Sequence, residues 1–224
     1  MAEFIPDLLM SWATYQNPGF ITEIKHQQET VCRTLGEGFK VGRENDDNIS
    51  FWDSEKGITV LYAKEHMIAS MQLPADNAED KWKLFTETIQ KGLSLSSVPE
   101  DFSNFLCNAR SYYSTSKDVD ESAEHVEKIM SALSHGRKML DILNAEVIDR
   151  QGVNEVQYRT VQNTQSQQYG LALIYGRISA QDTHLSKQEV ITFLNEENVI
   201  QQINDEQKRL DKIALKVITP PDAE

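Results

Sequence analysis

Apolar residues recur at helical intervals within the first 35 positions of the chain. The first group lies within residues 4–15 and comprises Phe4, Ile5, Leu8, Leu9 and Trp12. Proline is tolerated in the first turn of a helix, so Pro6 does not oppose a helix here. A second apolar stripe occupies residues 20–35, and Gly36 is a typical helix stop. The pattern therefore predicts two helices before residue 37.

The period then changes from helical to alternating. Three short runs at residues 49–53, 58–62 and 67–73 are rich in β-branched and aromatic residues and are separated by turn-forming residues. These runs predict a small antiparallel meander. A following amphipathic segment, which predicts a helix, carries on one face Trp82, Phe85, Ile89 and Leu93. This ααβββα order predicts a small α+β domain over residues 1–97.

The second half of the chain shows no convincing strand pattern. Residues 102–113 predict a short helix with an aromatic face, residues 153–163 a weaker helix, and the apolar run 169–175 a buried helix. Ser186 and Glu189 match a capping box, which is expected to start the last helix. We therefore expect residues 98–224 to form a helical bundle domain of long amphipathic helices. The whole chain is expected to be mainly α with a small antiparallel β-meander.

Two segments of this half carry apolar seams with coiled-coil-like spacing. The first seam comprises Val126, Ile129, Leu133, Gly136, Leu140, Leu143 and Val147. The second seam comprises Val199, Ile203, Leu210, Ile213 and Val217. Glu206 stands in the second seam where an apolar residue is expected. Two interpretations stay open: the seams pack on each other inside the bundle, or they form a surface that binds a helix of a partner protein.

The charge distribution favours protein partners over nucleic acid or membrane. The formal net charge is -13, with 15 acidic against 9 basic residues in positions 1–98 and 20 against 13 in positions 99–224. Such a spread of negative charge repels phosphate groups, so we expect basic protein surfaces as partners. The sequence lacks the run of ~20 apolar residues that a bilayer span needs. We expect a cytoplasmic protein that only a partner recruits to a membrane-associated complex.

The sequence contains no recognisable catalytic motif, and no enzyme activity or cofactor is expected. A phosphate loop or dinucleotide fingerprint needs glycines at fixed offsets, and the pair Gly36 and Gly38 is better explained as a helix stop. The cysteines Cys32 and Cys107 have no metal-ligand spacing, so we expect buried thiols. The five histidines are scattered singly and are expected at the surface.

One segment suggests a calcium loop, but counting excludes it. With Glu189 as the twelfth position of an EF-hand loop, the first, third and sixth positions are Ile178, Ala180 and Thr183. Two carboxylates and the turn glycine are therefore missing, and no metal site is expected.

The aromatic residues near the expected meander are interpreted as core: Phe51, Trp52, Tyr62 and Trp82.

The segment from Gly57 through Val60 to Trp82, continuing to Gly92, prompts a resemblance that covers under a quarter of the chain. The chain is similar in character to small cytosolic adaptor and chaperone subunits of bacterial secretion machines. It resembles most the accessory proteins of the type IVB (Dot/Icm) coupling complex. The resemblance implies a non-enzymatic subunit that stabilises a complex or helps to recruit secretion substrates.

The expected function is therefore that of a protein-binding accessory or adaptor subunit, which uses the two seams to contact its partner. One alternative is a small effector-like enzyme whose site is assembled from residues distant in sequence. Another alternative is a self-associating structural protein.

Overall fold

The computed structural model describes residues 3–14, 20–72, 78–135, 145–151, 154–178, 185–196 and 199–218. The strands in these residues are β1 (Glu3–Thr14), β2 (Lys40–Asn45), β3 (Asn48–Asp53), β4 (Ile58–Ala63), β5 (His66–Gln72), β6 (Asp101–Phe102), β7 (Asn104–Ser114), β8 (Glu146–Gln151), β9 (Asn154–Gln162), β10 (Tyr169–Ile178) and β11 (Leu185–Ser186). The helices are α1 (Phe20–His26), α2 (Gln28–Leu35), α3 (Ala78–Leu93), α4 (Val119–Leu133), α5 (Lys187–Glu196) and α6 (Val199–Ile218).

Nine of the strands form one antiparallel sheet in the order β2-β3-β4-β5-β1-β7-β10-β9-β8, and β11 pairs with β6 in a separate ribbon. The expected fold class, mainly α with a small β-meander and a helical bundle, is therefore wrong. The expected meander is present as β3, β4 and β5, but it is one part of a much larger sheet.

Four segments expected to be helices are strands. Residues 4–15 lie largely in β1, residues 102–113 largely in β7, residues 153–163 in β9 and residues 169–175 in β10. In β7, Phe105 and Cys107 face the core, while Leu106 and Tyr112 on the opposite face are only half-buried. Apolar residues on both faces hide the period of two. A short, continuous apolar run such as that in β10 does not distinguish a buried strand from a buried helix.

The first seam follows a helix only in part. Val126, Ile129 and Leu133 lie on α4, which ends at Leu133, whereas Val147 lies in β8. The intervening seam positions, Gly136, Leu140 and Leu143, fall outside the described residues. The second seam lies entirely on α6, as expected.

The other expected helices of the first half, over residues 20–35 and after residue 77, are present. Residues 20–35 form α1 and α2 with a break at Gln27, and the Gly36 N–H donates to the Cys32 carbonyl oxygen over 3.1 Å at the end of α2. Helix α3 buries all four residues of its expected inner face, Trp82, Phe85, Ile89 and Leu93. The expected capping box is also present: the Ser186 backbone N–H donates to Glu189 Oε2 over 2.7 Å, and the Glu189 N–H donates to Ser186 Oγ over 3.3 Å.

The order of elements occurs twice along the chain. The first series runs β1, α1 and α2, then β3, β4, β5 and α3, and the second runs β7, α4, then β8, β9, β10 and the last helices. The strands of the first series are ordered β3-β4-β5-β1 in the sheet, and those of the second are ordered β8-β9-β10-β7. Each series therefore consists of a strand, a helical segment, a three-stranded meander and a further helical segment. In the sheet, the first strand of each series lies next to the last strand of its meander.

The chain divides into two compact units. The first unit comprises Met1–Asp7, Ala109–Gly176 and Val199–Glu224, and the second comprises Leu8–Asn108 and Arg177–Asn198. The expected division near residue 97 stays a prediction about which segments fold independently. Among the described helices, none is long and apolar enough to cross a membrane.

Candidate protein-binding site

Most of the seam residues that the structure describes are buried within the first unit, where α4 packs on α6. The buried seam residues are Val126, Ile129, Leu133, Val199, Ile203 and Leu210. Val147, Ile213 and Val217 are half-buried. This burial favours internal packing of the seams, and partner binding through them stays a prediction.

Glu206 interrupts the second seam because it faces a buried tyrosine. The Tyr158 side chain on β9 is buried, and its hydroxyl donates a hydrogen bond to Glu206 Oε1. Arg209 Nη1 donates both to the Tyr158 hydroxyl oxygen and to Glu206 Oε1, each over 2.7 Å. Asp149 Oδ2 lies 4.0 Å from the same nitrogen. The glutamate therefore satisfies a buried hydroxyl within the unit.

This cluster holds its tyrosine in the protonated form. Burial raises the pKa of Tyr158 far above its usual value, and the hydrogen bond to the Glu206 carboxylate raises it further. Burial opposes the charge on Arg209, but the neighbouring Tyr158, Glu206 and Asp149 outweigh that effect and raise the pKa of its guanidinium. The neutral Tyr158 hydroxyl is the donor in its hydrogen bond to Glu206 Oε1.

A second buried tyrosine is joined to the same helix. The Tyr113 hydroxyl on β7 donates to Asp211 Oδ1 over 3.1 Å. Burial and the Asp211 carboxylate raise the pKa of Tyr113 above its usual value. Helix α6 is thus attached to strands β7 and β9 through one carboxylate each.

Other reactive groups in the described residues are separated from one another. No group of three or more His, Cys, Asp or Glu in that part of the chain is placed to hold a metal ion. Cys107 is buried as expected, whereas Cys32 is half-buried, and burial raises the pKa of both thiols. The expectation of surface histidines is wrong for His125, which is buried with Nδ1 3.0 Å from Thr115 Oγ1.

The meander in the second unit has one covered face. Phe51, Val60 and Tyr62 on this face are fully buried. The Phe20 ring of α1 lies edge-on to the Tyr62 ring at 6.4 Å, and the Tyr62 hydroxyl donates to the Gly92 carbonyl oxygen of α3 over 3.3 Å. Helices α1 and α3 therefore cover this face, and the aromatic residues predicted as core, except Trp52, are in the core.

The opposite face of the meander is more exposed, and we name it the open face. Its central residues are Trp52, Thr59, Leu61, Ile68 and Ser70. Strand register places Trp52 opposite Thr59 and Thr59 opposite Ser70, with Leu61 opposite Ile68 in the next row. Trp52 retains 45% of its full exposure, and the other four side chains are half-buried. Three large apolar side chains thus share one sheet face.

A β-bulge positions Trp52 on this face. Two residues of β2, Gly42 and Arg43, lie opposite the single residue Ser50 of β3. The Arg43 N–H donates to Ser50 Oγ over 2.8 Å, which fixes the bulge. A Cβ at Gly42 would lie 3.2 Å from Trp52 Cδ1 and 2.7 Å from Ser50 Oγ. The missing side chain of Gly42 therefore leaves room for the indole ring against β2.

The expectation that Trp52 belongs to the core is wrong. Successive side chains of a strand point to opposite faces, so a buried Phe51 places Trp52 on the other face. The alternation of side chains in residues 49–53 is the sequence signal that identifies the open face.

No family model matches the chain, and no curated protein sequence matches it.

Proposed function

We propose that the chain is a non-enzymatic, protein-binding accessory or adaptor subunit that binds its partner on the open face. The observation that carries the proposal is the exposure of Trp52 beside Leu61 and Ile68 on the face opposite to the helix-covered one. A contiguous apolar patch that is exposed on a protein surface marks an interaction site. Tryptophan is also among the residues that contribute most to binding at protein interfaces.

The proposed partner presents an amphipathic helix with basic residues beside its apolar face. Helices α1 and α3 pack on the other face of the same meander, so this sheet is able to pack against a helix. Residues 1–98, which include the whole open face, contain 15 acidic and 9 basic residues. A basic helix is attracted by this excess of negative charge, whereas an acidic one is repelled.

The resemblance to adaptor subunits of type IVB (Dot/Icm) secretion complexes gives this proposal a wider setting. In that setting the bound helix belongs to a secretion substrate or to another subunit of the coupling complex. The compartment that follows is the cytoplasm, with recruitment to a membrane-associated assembly through the partner.

Affinity purification from the native cell tests the proposal when wild type and two variants are compared by quantitative mass spectrometry. Trp52→Ser removes the exposed indole of the open face. Leu215→Ser is the matched control, because Leu215 on α6 is 69% exposed but lies outside the open face. At least one protein should be lost with Trp52→Ser and kept with Leu215→Ser. A synthetic peptide of its basic amphipathic helix should bind the Trp52→Ser variant about tenfold more weakly than wild type.

Identical sets of captured proteins from wild type and Trp52→Ser would exclude the open face as the binding site. Loss of the same proteins from both variants would point instead to a general effect of exposed apolar residues. Circular dichroism of each variant checks that it is folded.

A further inference from the structure

Strand β8 is the last strand of the sheet, and it has a regular edge. Among the described strands its neighbour is β9, and six consecutive residue pairs from Glu146 with Arg159 to Gln151 with Asn154 join them without interruption. Ile148 in the middle of β8 retains 45% of its full exposure. A regular, exposed edge strand can pair with a strand of another chain.

The backbone hydrogen bonds show which residues of β8 face outward. The Thr160 N–H donates to the Ala145 carbonyl oxygen, which makes Ala145 and Thr160 a hydrogen-bonded pair next to the pair of Glu146 and Arg159. Hydrogen-bonded and non-hydrogen-bonded pairs alternate along an antiparallel ladder. The N–H and C=O groups of residues 146, 148 and 150 therefore point away from β9.

We infer that β8 pairs antiparallel with β8 of a second copy of the chain, about a two-fold axis at Ile148. In this register Ile148 lies opposite the Ile148 position of the second copy, and Glu146 lies opposite Arg150. The pairs are the ones whose backbone groups point outward, so the ladder continues from one copy to the other. Opposite charges at facing positions on a sheet stabilise the pairing, and the two apolar side chains meet at the axis.

Three of the other registers that use the same backbone groups bring like charges together, and the register centred on residue 147 places Glu146 opposite Ile148 and forms no ion pair. Centring the pair on residue 146 places glutamate opposite glutamate, and centring it on residue 150 places arginine opposite arginine. Centring it on residue 149 places two copies of Asp149 opposite each other. Like charges directly opposite on neighbouring strands are destabilising, so the charge pattern selects the register centred on Ile148.

The other end of the sheet is protected against such pairing. Strand β2 contains the bulge at Gly42 and Arg43, and charged residues occupy three of its six positions. Bulges and charged residues are the features that natural edge strands use to prevent pairing with other chains. Only the β8 edge combines a regular register, an exposed apolar residue and a self-complementary charge pattern in the described part of the sheet.

Sedimentation equilibrium of the full chain tests this inference. Wild type should have twice the monomer mass of 25.5 kDa at micromolar concentrations. Ile148→Asp and Ile148→Lys should each weaken association by more than about tenfold, because like charges then meet at the axis. An equimolar mixture of the two variants should recover the double mass, because aspartate and lysine then face each other.

The open-face variant Trp52→Ser is the matched control and should keep the wild-type mass. The Ile148→Asp variant should keep the partner set of the affinity purification, so failure of one proposal is distinguishable from failure of the other. A wild type of 25.5 kDa throughout the concentration range overturns the inference. It is also overturned if the Ile148→Asp variant keeps the double mass, or if the mixture of variants stays monomeric.

Discussion

Glu206 of α6 accepts a hydrogen bond from the buried hydroxyl of Tyr158 on β9, 48 positions earlier in the chain. Arg209 contacts both groups and completes the cluster. The Tyr158 hydroxyl on β9 therefore explains why the acidic residue Glu206 stands in the apolar seam of α6. The contact couples the two residues energetically, and the coupling can be measured.

Replacing Glu206 by leucine restores the apolar pattern of the second seam but leaves the Tyr158 hydroxyl without its acceptor. We expect the free energy of unfolding to fall by about 1–3 kcal/mol, because a buried donor loses its partner. In a Tyr158→Phe background the same replacement should cost less, because no hydroxyl is then unsatisfied. Urea denaturation of the four proteins measures both values. Equal losses in the two backgrounds would contradict the coupling.

Asp53 should make stability depend on pH in the acidic range. Burial opposes ionisation of this carboxyl, but hydrogen bonds from the Lys56 ammonium and from backbone N–H groups outweigh it and hold its pKa below the usual value. The folded state therefore binds the proton less well than the unfolded state. The resulting stability is present above the unfolded pKa of about 4 and is lost as the pH falls through the lower folded pKa.

We expect Asp53→Asn to lower the free energy of unfolding by about 1–2 kcal/mol at neutral pH, because a charged acceptor is lost. The difference from wild type should shrink as the pH falls from the unfolded pKa of about 4 through the lower folded pKa, because the unfolded state binds the proton first and the folded carboxyl is protonated only at the end of that range. Urea denaturation at a series of pH values measures it. A difference that is constant with pH would exclude a lowered pKa of Asp53.

Gly42→Ala should disturb the bulge that positions Trp52. The new methyl group would lie 2.7 Å from Ser50 Oγ, so the Ser50 hydroxyl must move and lose its bond with the Arg43 N–H. We expect a loss of about 1 kcal/mol of stability and a shifted indole N–H signal of Trp52 in NMR spectra. In a Ser50→Ala background the same change should cost less. An unchanged Trp52 signal would show that Gly42 does not set the indole position.

The two thiols should react at different rates with a disulfide reagent. Burial raises the pKa of Cys107 far above its usual value, and it raises the pKa of Cys32 as well, although Cys32 is only half-buried. Because the thiolate is the reactive form, we expect slow modification of Cys32 and almost none of Cys107 in the native protein. Both should react in denaturant, and a Cys32→Ser variant should show almost no native reaction. Rapid native modification of that variant would contradict the burial of Cys107.

The sequence predicted local elements well where one face of an element is clearly polar. Helix α3 is such an element, because Trp82, Phe85 and Ile89 recur at helical spacing among polar residues. Strands β3 to β5 are indicated instead by short β-branched and aromatic runs bounded by turn-forming residues. The patterns failed in β7, where Leu106 and Tyr112 interrupt the polar face, and in β10, whose apolar run is continuous. The sheet was therefore underestimated, because buried strands lack the polar alternation that marks a half-exposed one.

The candidate site was only partly accessible from the sequence. Glu206 was recognised as an irregularity in the seam, but its partner Tyr158 lies on a strand whose position depends on the order of strands in the sheet. The exposure of Trp52 follows from the buried position of Phe51, because successive side chains of a strand point to opposite faces. Contacts between residues far apart in the chain have no fixed spacing in the sequence, whereas the apolar pattern of a single helix or strand does.

The bulge at Gly42 and Arg43 has a consequence for the size of any assembly. A chain with two free sheet edges can add copies at both ends without limit and grow into fibres. When one edge cannot pair with further strands, a two-fold contact through the other edge occupies that edge in both copies, and no edge is left to bind a third copy. Two adjacent residues of β2 would then keep association closed at two copies, and they would protect an acidic protein with a large sheet from polymerisation.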